Sequence, residues 1–156
     1  MRAVPSKVHY QRPLDRPPRM RLRDYEYQFC SLFSLTREEW NFIYAYMSFP
    51  GGGIRHWRSR HQRGIRMSLL YYNKHLIAWC AIDTECSGAL GALSKNPGVT
   101  CWVLDSWRNR GIAKRIIDAS LRKYKIPLGS KVDVYSRKMK HICSKLGYKA
   151  KNIWCN

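Results

Sequence analysis

Acidic residues are scarce in this chain: 10 Asp and Glu stand against 29 Lys and Arg, a formal net charge of +19 over 156 residues. That excess is larger than solubility requires and predicts attraction to polyanions, nucleic acid first, an acidic protein surface or an anionic cofactor next. A basic solvated surface without a specific partner is the other reading. Long apolar runs are missing too, which excludes a membrane-spanning helix. The cysteines, Cys30, Cys80, Cys86, Cys101, Cys143 and Cys155, form no Cys-x-x-Cys pair, so no zinc or other metal site is expected. The basic, proline-rich start has no apolar leader core, which points to reduced thiols in a cytoplasmic protein. No internal repeat is present, and the length suits one domain with one sizeable core.

Residues 1–24 form a basic arm crowded with Pro5, Pro13, Pro17 and Pro18, where proline density opposes regular structure. Such an arm either lies along a phosphate backbone or docks as a loose tail. Residues 25–156 carry the folded domain. Tyr25, Tyr27 and Phe29 alternate, so a first strand is expected over Tyr25 to Phe33. Thr36-Arg-Glu-Glu39 fits a capping box opening a helix that should end by Pro50-Gly-Gly-Gly53. Its aromatic residues, from Trp40 to Tyr46, read as core. Ser68 to Tyr72, Asn73-Lys74 and His75 to Asp83 read as a β-hairpin.

Between these elements lies an unusual segment, with Arg55, His56, Trp57, Arg58, Arg60 and His61 in close succession. Cations that grip phosphates beside an indole on which a base stacks suit binding of single strands or flipped bases. A charged loop with one packed tryptophan is the plainer alternative, and either histidine alone reads as a surface residue.

Val99 to Leu104 is a short β-rich run, bounded by Pro97-Gly98 and by the turn Asp105-Ser-Trp-Arg-Asn-Arg-Gly111. After it, Ile112, Ala113, Ile116, Ile117 and Leu121 recur at helical spacing, so a helix should start close to Gly111. The first amides of a helix lack internal partners and carry the positive end of its dipole, so this turn can hold an anion. Gly111 admits close approach to the backbone, Ala113 keeps the first turn small, and Arg108, Arg110 and Lys114 add charge. An ordinary strand-to-helix turn is the alternative, since the full dinucleotide and P-loop patterns are both missing.

Arg108-Asn109-Arg110-Gly111-Ile112-Ala113, following Trp102-Val103-Leu104, resembles the Arg/Gln-x-x-Gly-x-Gly/Ala signature of the GNAT N-acetyltransferase superfamily. A second block supports it: Lys131 to Tyr135 as a strand, Arg137 to Lys145 as a helix, then Leu146-Gly147-Tyr148, similar to the family's closing Leu-Gly-Phe/Tyr. The resemblance covers Ser68 to Trp154. It implies an α/β single-domain GNAT-like fold, a mixed central β-sheet with flanking helices, and acetyl-CoA or another acyl-CoA as co-substrate. It places Val103 and Leu104 against the pantetheine arm, Arg108 to Lys114 around the pyrophosphate, and the Arg55 to His61 segment beside the acceptor. Phage-encoded DNA-modifying members look like precedents for an acceptor on a nucleic-acid base, which would place this protein in the host cytoplasm.

GNAT-like catalysis needs a neutral amine beside a thioester, a proton acceptor, and a donor for the departing thiolate. The acceptor candidates are Asp105 at the end of the central strand, then Asp83 and Glu85 closing the strand before it. For each, a solvated strand-end acid is the alternative. The family often has a tyrosine four residues before its final glycine, and that position here is Cys143. Cysteine can protonate a thiolate, although a buried structural thiol is the simpler role, and Tyr135 or Tyr148 are substitutes. Two functions follow: an acyl-CoA-dependent N-acyltransferase, or a noncatalytic module on the same fold that binds nucleic acid or a partner protein.

Overall fold

Asn73 and Lys74 both have positive φ, 45° and 66°, the backbone of a two-residue turn whose twist matches that of antiparallel strands. They join β2 (Ile65–Tyr72) to β3 (His75–Asp83), the hairpin expected from the sequence, with β2 starting three residues earlier because Ile65 and Met67 are fully buried. The computed structural model describes residues 2, 4–5, 7–47, 64–84 and 95–153. Around the hairpin are β1 (Tyr25–Ser31), β4 (Gly98–Val103), β5 (Lys131–Val134) and β6 (Lys149–Asn152). The sheet order is β1-β2-β3-β4-β5-β6. The first four strands are antiparallel and the last three parallel, so the sheet is mixed.

Helices α1 (Arg37–Tyr46), α2 (Ile112–Lys123) and α3 (Arg137–Lys145) cover the two faces. Helices α2 and α3 connect parallel neighbours, and the right-handed rule for such crossovers puts both on one face, where they touch each other. Alternation along β2 separates the faces. Ser120 of α2 donates to Ser68 at 2.6 Å, whereas Tyr71 donates to Glu39 of α1 at 2.5 Å. Leu69, Leu70, Trp79, Ile116 and Ile117 are fully buried between these layers, each worth about 1.5–3 kcal/mol relative to exposure.

The capping box is present as read: Thr36 accepts from the Glu39 amide and Glu39 from the Thr36 amide. One further boundary differs from the sequence reading, α1 ends before Pro50 as expected, and one strand is additional. β1 ends at Ser31, because Leu32–Ser34 winds into a 3-10 turn that leaves Phe33 67% exposed. α1 ends at Tyr46, where Met47 goes extended and turns inward, and Tyr44 and Tyr46 stay exposed rather than joining the core. A sixth strand follows Gly147, added to the β5 edge in the register Lys131↔Lys149.

The described residues of the basic arm are irregular, as proline density implies, yet they are tied down. Tyr46 and Tyr72 donate to the Gln11 and Arg19 carbonyls, His9 stacks on His75, and Arg2 pairs with the buried Glu39. Glu39 thus serves Arg2, Tyr71 and the α1 cap together, while Tyr71 also contacts Tyr10 at 2.8 Å.

Glu39→Ala should cost about 3 kcal/mol or more, because removing one partner of a buried pair strands the others. Thr36→Ala, which loses only the cap, should cost about 1 kcal/mol in the same urea titration. Burial pushes Tyr10 up to about 12, and burial beside Glu39 pushes Tyr71 higher still. The folded state therefore keeps protons that the unfolded chain releases above its ordinary tyrosine pKa near 10. The melting temperature should fall as pH rises beyond 10, less steeply in Tyr71→Phe.

Candidate functional site

β4 and β5 pair at one position, Gly98↔Asp133. β5 is short and gives way to α3 at Ser136, whose hydroxyl accepts from the Met139 amide at 3.1 Å. β4 runs on to Val103, paired with β3 on one side and, among the described residues, with no paired strand on the β5 side. The space left is a cavity of about 490 Å³ walled by Cys101, Trp102 and Val103, by Gly111 to Lys114, and by Met139 and Ile142 of α3. Three consecutive β4 residues line it because the strand presents its main-chain edge there, not one face.

The turn at the head of the cavity is planted by Trp107. Its fully buried indole donates to the Leu14 carbonyl at 2.8 Å and lies 5.0 Å from the Tyr72 ring. The residues after it are pushed outward, and Arg108, Asn109 and Arg110 are exposed. Asn109 and Gly111 have φ of 63° and 76°, two left-handed steps that aim the chain into α2. A Cβ on Gly111 would meet nothing within 4 Å, so glycine is required there by its φ, and the space beside it is open. Thr36 and Ser136 cap α1 and α3 with side chains, whereas Gly111 offers none to α2. The first turn of α2, Ile112 to Lys114, thus lines the cavity with no side-chain cap from its N-cap residue, Lys114 being exposed and Lys138 lining the same cavity.

Arg108 folds back over the β4 edge. Its Nε donates to the Val103 carbonyl at 3.0 Å, its terminal nitrogen lies 3.2 Å from Asp105, and the guanidinium sits 4.6 Å from the Trp102 ring centre. The Leu104 amide is turned the other way, donating to the Ile77 carbonyl at 2.9 Å. Of the two residues expected beside a pantetheine arm, Val103 lines the cavity with its carbonyl already engaged, and Leu104 is buried behind it.

The acid and base candidates separate by burial. Asp105 opens a 3-10 turn after β4 with its side chain 88% exposed. Asp83 is buried at the end of β3, and register lines up Asp83, Gly98 and Asp133 across three strands. Gly98 leaves room between the two flanking carboxylates. Tyr135, one residue past β5, is half-buried, and its phenol is raised well above the usual range by burial and by Asp133 and Asp83. Cys143 is fully buried one residue beyond the lining Ile142, its thiol raised to about 11 by burial. Glu85 and the segment from Arg55 through His56, Trp57, Arg58 and Arg60 to His61 lie outside the described residues. Among the described residues no group of three or more His, Cys, Asp or Glu could hold a metal, and no helix is long and apolar enough to cross a membrane.

The sequence reading missed Trp107, Lys138, Met139 and Asp133. Asp133 had a signal: an acid between Val132 and Val134 in a strand covered on both faces is out of place unless something uses or pairs it. The others depend on the distance between β4 and α3.

No family model and no curated protein matches this chain. Solved structures of acetyltransferases match it at low sequence identity. An aminoglycoside acetyltransferase from an uncultured soil metagenomic sample, in complex with sisomicin, is 13% identical over 80% of this chain and 85% of that one, with a TM-score of 0.46. A ribosomal-protein-alanine N-acetyltransferase from Brucella melitensis biovar Abortus 2308 is 16% identical over 78% and 87%, with a TM-score of 0.44. The described residues of the chain themselves form an α/β domain with a six-stranded mixed sheet and three α-helices.

Burial raises Cys80 to about 12 and Cys143 to about 11, so at pH 8 the thiolate fraction at each is on the order of 10⁻³ or less. Peptide mapping after iodoacetamide treatment at pH 8 should find both unmodified in the folded protein and both alkylated in guanidinium.

Proposed function

We propose that this protein is an acyl-CoA-dependent N-acyltransferase, transferring an acyl group, acetyl in the simplest case, from CoA to an amine. The observation that carries the reading is the cavity where β4 has lost its neighbour, headed by an α2 terminus that no side chain caps. The fit is chemical as well as spatial. The first amides of α2, Ile112 to Lys114, beside Arg110 and Lys114, suit a diphosphate. Trp102, Met139 and Ile142 suit a thin, largely apolar arm that needs only a few main-chain bonds. Acyl-CoA would supply an activated carbonyl whose bond to sulfur is exchanged for one to nitrogen.

The chain's own residues must take one proton from the amine and return one to the departing sulfur. Tyr135 and Cys143 both hold their protons through neutral pH, so each is a donor and neither an acceptor. Half-buried Tyr135 is reachable, and the fully buried Cys143 is better read as structural, which makes Tyr135 the preferred donor. Asp83 and Asp133 are the preferred acceptors, directly or through water, because their side chains lie on the same face of the sheet as Tyr135. Asp105 is too solvated to hold an amine in one geometry, and it serves Arg108. The amine could belong to a nucleic-acid base or to a partner that follows nucleic acid in the cytoplasm, a reading supported by the net charge.

A noncatalytic module on the same fold is favoured by one observation: Arg108 closes the Val103 carbonyl that an incoming arm would want. The two readings part experimentally. At a hundredfold excess over its dissociation constant, acetyl-CoA should raise the melting temperature by about 5 °C or more. Gly111→Glu, which puts a carboxylate where the diphosphate sits, should abolish the rise. Mass spectrometry should then detect CoA release and an acylated product with one of a panel of amines, including polyamines, lysine peptides and adenine-containing oligonucleotides. Tyr135→Phe should slow that release at least tenfold while leaving the thermal rise intact. No thermal rise at millimolar acetyl-CoA would eliminate the enzyme reading.

A further inference from the structure

The cations of this protein are not spread evenly. Between Ala119 and Asn156 the sole acidic residue is Asp133, and it is 3% exposed. The surface of that region is therefore free of negative charge. On α3, Arg137, Lys140, His141 and Lys145 recur at helical spacing and all are exposed, while Met139 and Cys143 pack inward. On the strands, Lys131, Lys149 and Lys151 are exposed. The register Lys131↔Lys149 and Asp133↔Lys151 puts all three, with the buried Asp133, on the sheet face opposite α3, beside the free edge of β6, where they line a shallow groove. The ion pairs among the described residues are Arg2–Glu39, Arg108–Asp105 and Arg122–Asp118, and none involves Arg137, Lys140, Lys145, Lys131, Lys149 or Lys151. Packed like charges repel and cost stability unless a counter-charge arrives.

We propose that the free edge of β6, flanked by Lys131, Lys149 and Lys151 on one side and by the α3 cations on the other, docks the sugar-phosphate backbone of double-stranded nucleic acid, without regard to base sequence. Side-chain chemistry selects this occupant. Lysine dominates the edge, and lysine is depleted in protein interfaces, which need aromatic and arginine anchors. A membrane-surface helix needs an apolar face to insert, but α3 spends its own on the sheet. Single strands are held by stacking on aromatic rings, and neither α3 nor β5–β6 exposes a large aromatic side chain. Phosphate contacts from lysine carry affinity without sequence information. Lys149 and Lys151, two strand residues apart, are separated by about 6.7 Å along the strand, close to two steps of a duplex strand at about 3.4 Å each. The basic arm, whose Arg12, Arg19, Arg21 and Arg23 are also exposed, is the rival site that the test below separates. The proposal does not depend on the acyltransferase reading.

The test is a salt titration of the full chain against a fluorescent 20-base-pair duplex, in two unrelated sequences. The combined variant Lys131→Gln, Lys149→Gln, Lys151→Gln should bind about tenfold or more weakly at 150 mM salt, with a log–log salt slope reduced by about 2 to 3. A variant removing the same charge from the arm, Arg19→Gln, Arg21→Gln, Arg23→Gln, should change the affinity less than about threefold. The two duplexes should bind alike, and the acetyl-CoA thermal rise should be the same in both variants as in the parent. Equal losses in the two variants would reduce the effect to net charge and overturn the proposal. So would an unchanged strand variant, a strong preference between duplexes, or a strand variant that loses binding only to phosphatidylserine vesicles.

Discussion

A strand that loses its neighbour must satisfy its main chain elsewhere, and β4 does so beyond Gly98. On one side it keeps β3, to which Leu104 still donates. On the other, the Val103 carbonyl is met by Arg108, a side chain from the turn that β4 itself leads into. An unsatisfied buried carbonyl costs about 1–3 kcal/mol, so the open edge is tolerable only where a side chain, water or ligand can reach it. That constraint joins the cavity, the turn and the helix that follows. The bond closing the edge also holds the guanidinium against Trp102, on the lining of the same cavity as the start of α2.

The turn has a similar economy. Trp107 is the one turn residue driven fully inside, and its indole nitrogen finds an acceptor only because Leu14 of the arm passes over it. Fixing that residue forces the chain outward and then back through two left-handed steps, the second of which only glycine takes without strain. The arm therefore belongs to the architecture of the cleft. Its arginines are on the surface, but its backbone helps set where α2 begins.

Charge and apolar surface are segregated in the same spirit. The buried faces of the helices are largely apolar, and between Ala119 and Asn156 the one acid, Asp133, is buried. What is left outside on the last two strands and α3 is lysine. A fold that keeps so few surface acids in this region gives up the usual relief of alternating charge, which is the physical ground for expecting a polyanion there.

Local chemistry settled a good part of this from the sequence alone. Thr36 with Glu39 determined the start of α1, Asn73-Lys74 the hairpin, and Gly111 the start of α2, because a cap, a turn or a left-handed residue acts through neighbours a few positions away. The aliphatic spacing of Ile112 to Leu121 determined which face of α2 turns inward. Tertiary structure alone decided that β5 leaves β4 after one paired position, that Asp133 comes level with Asp83 across Gly98, and that Arg108 returns to its own strand. It also decided that Leu14 holds Trp107, 93 residues away. These depend on distances between segments far apart in the chain, set by how the layers pack, and no local pattern of residue types encodes them.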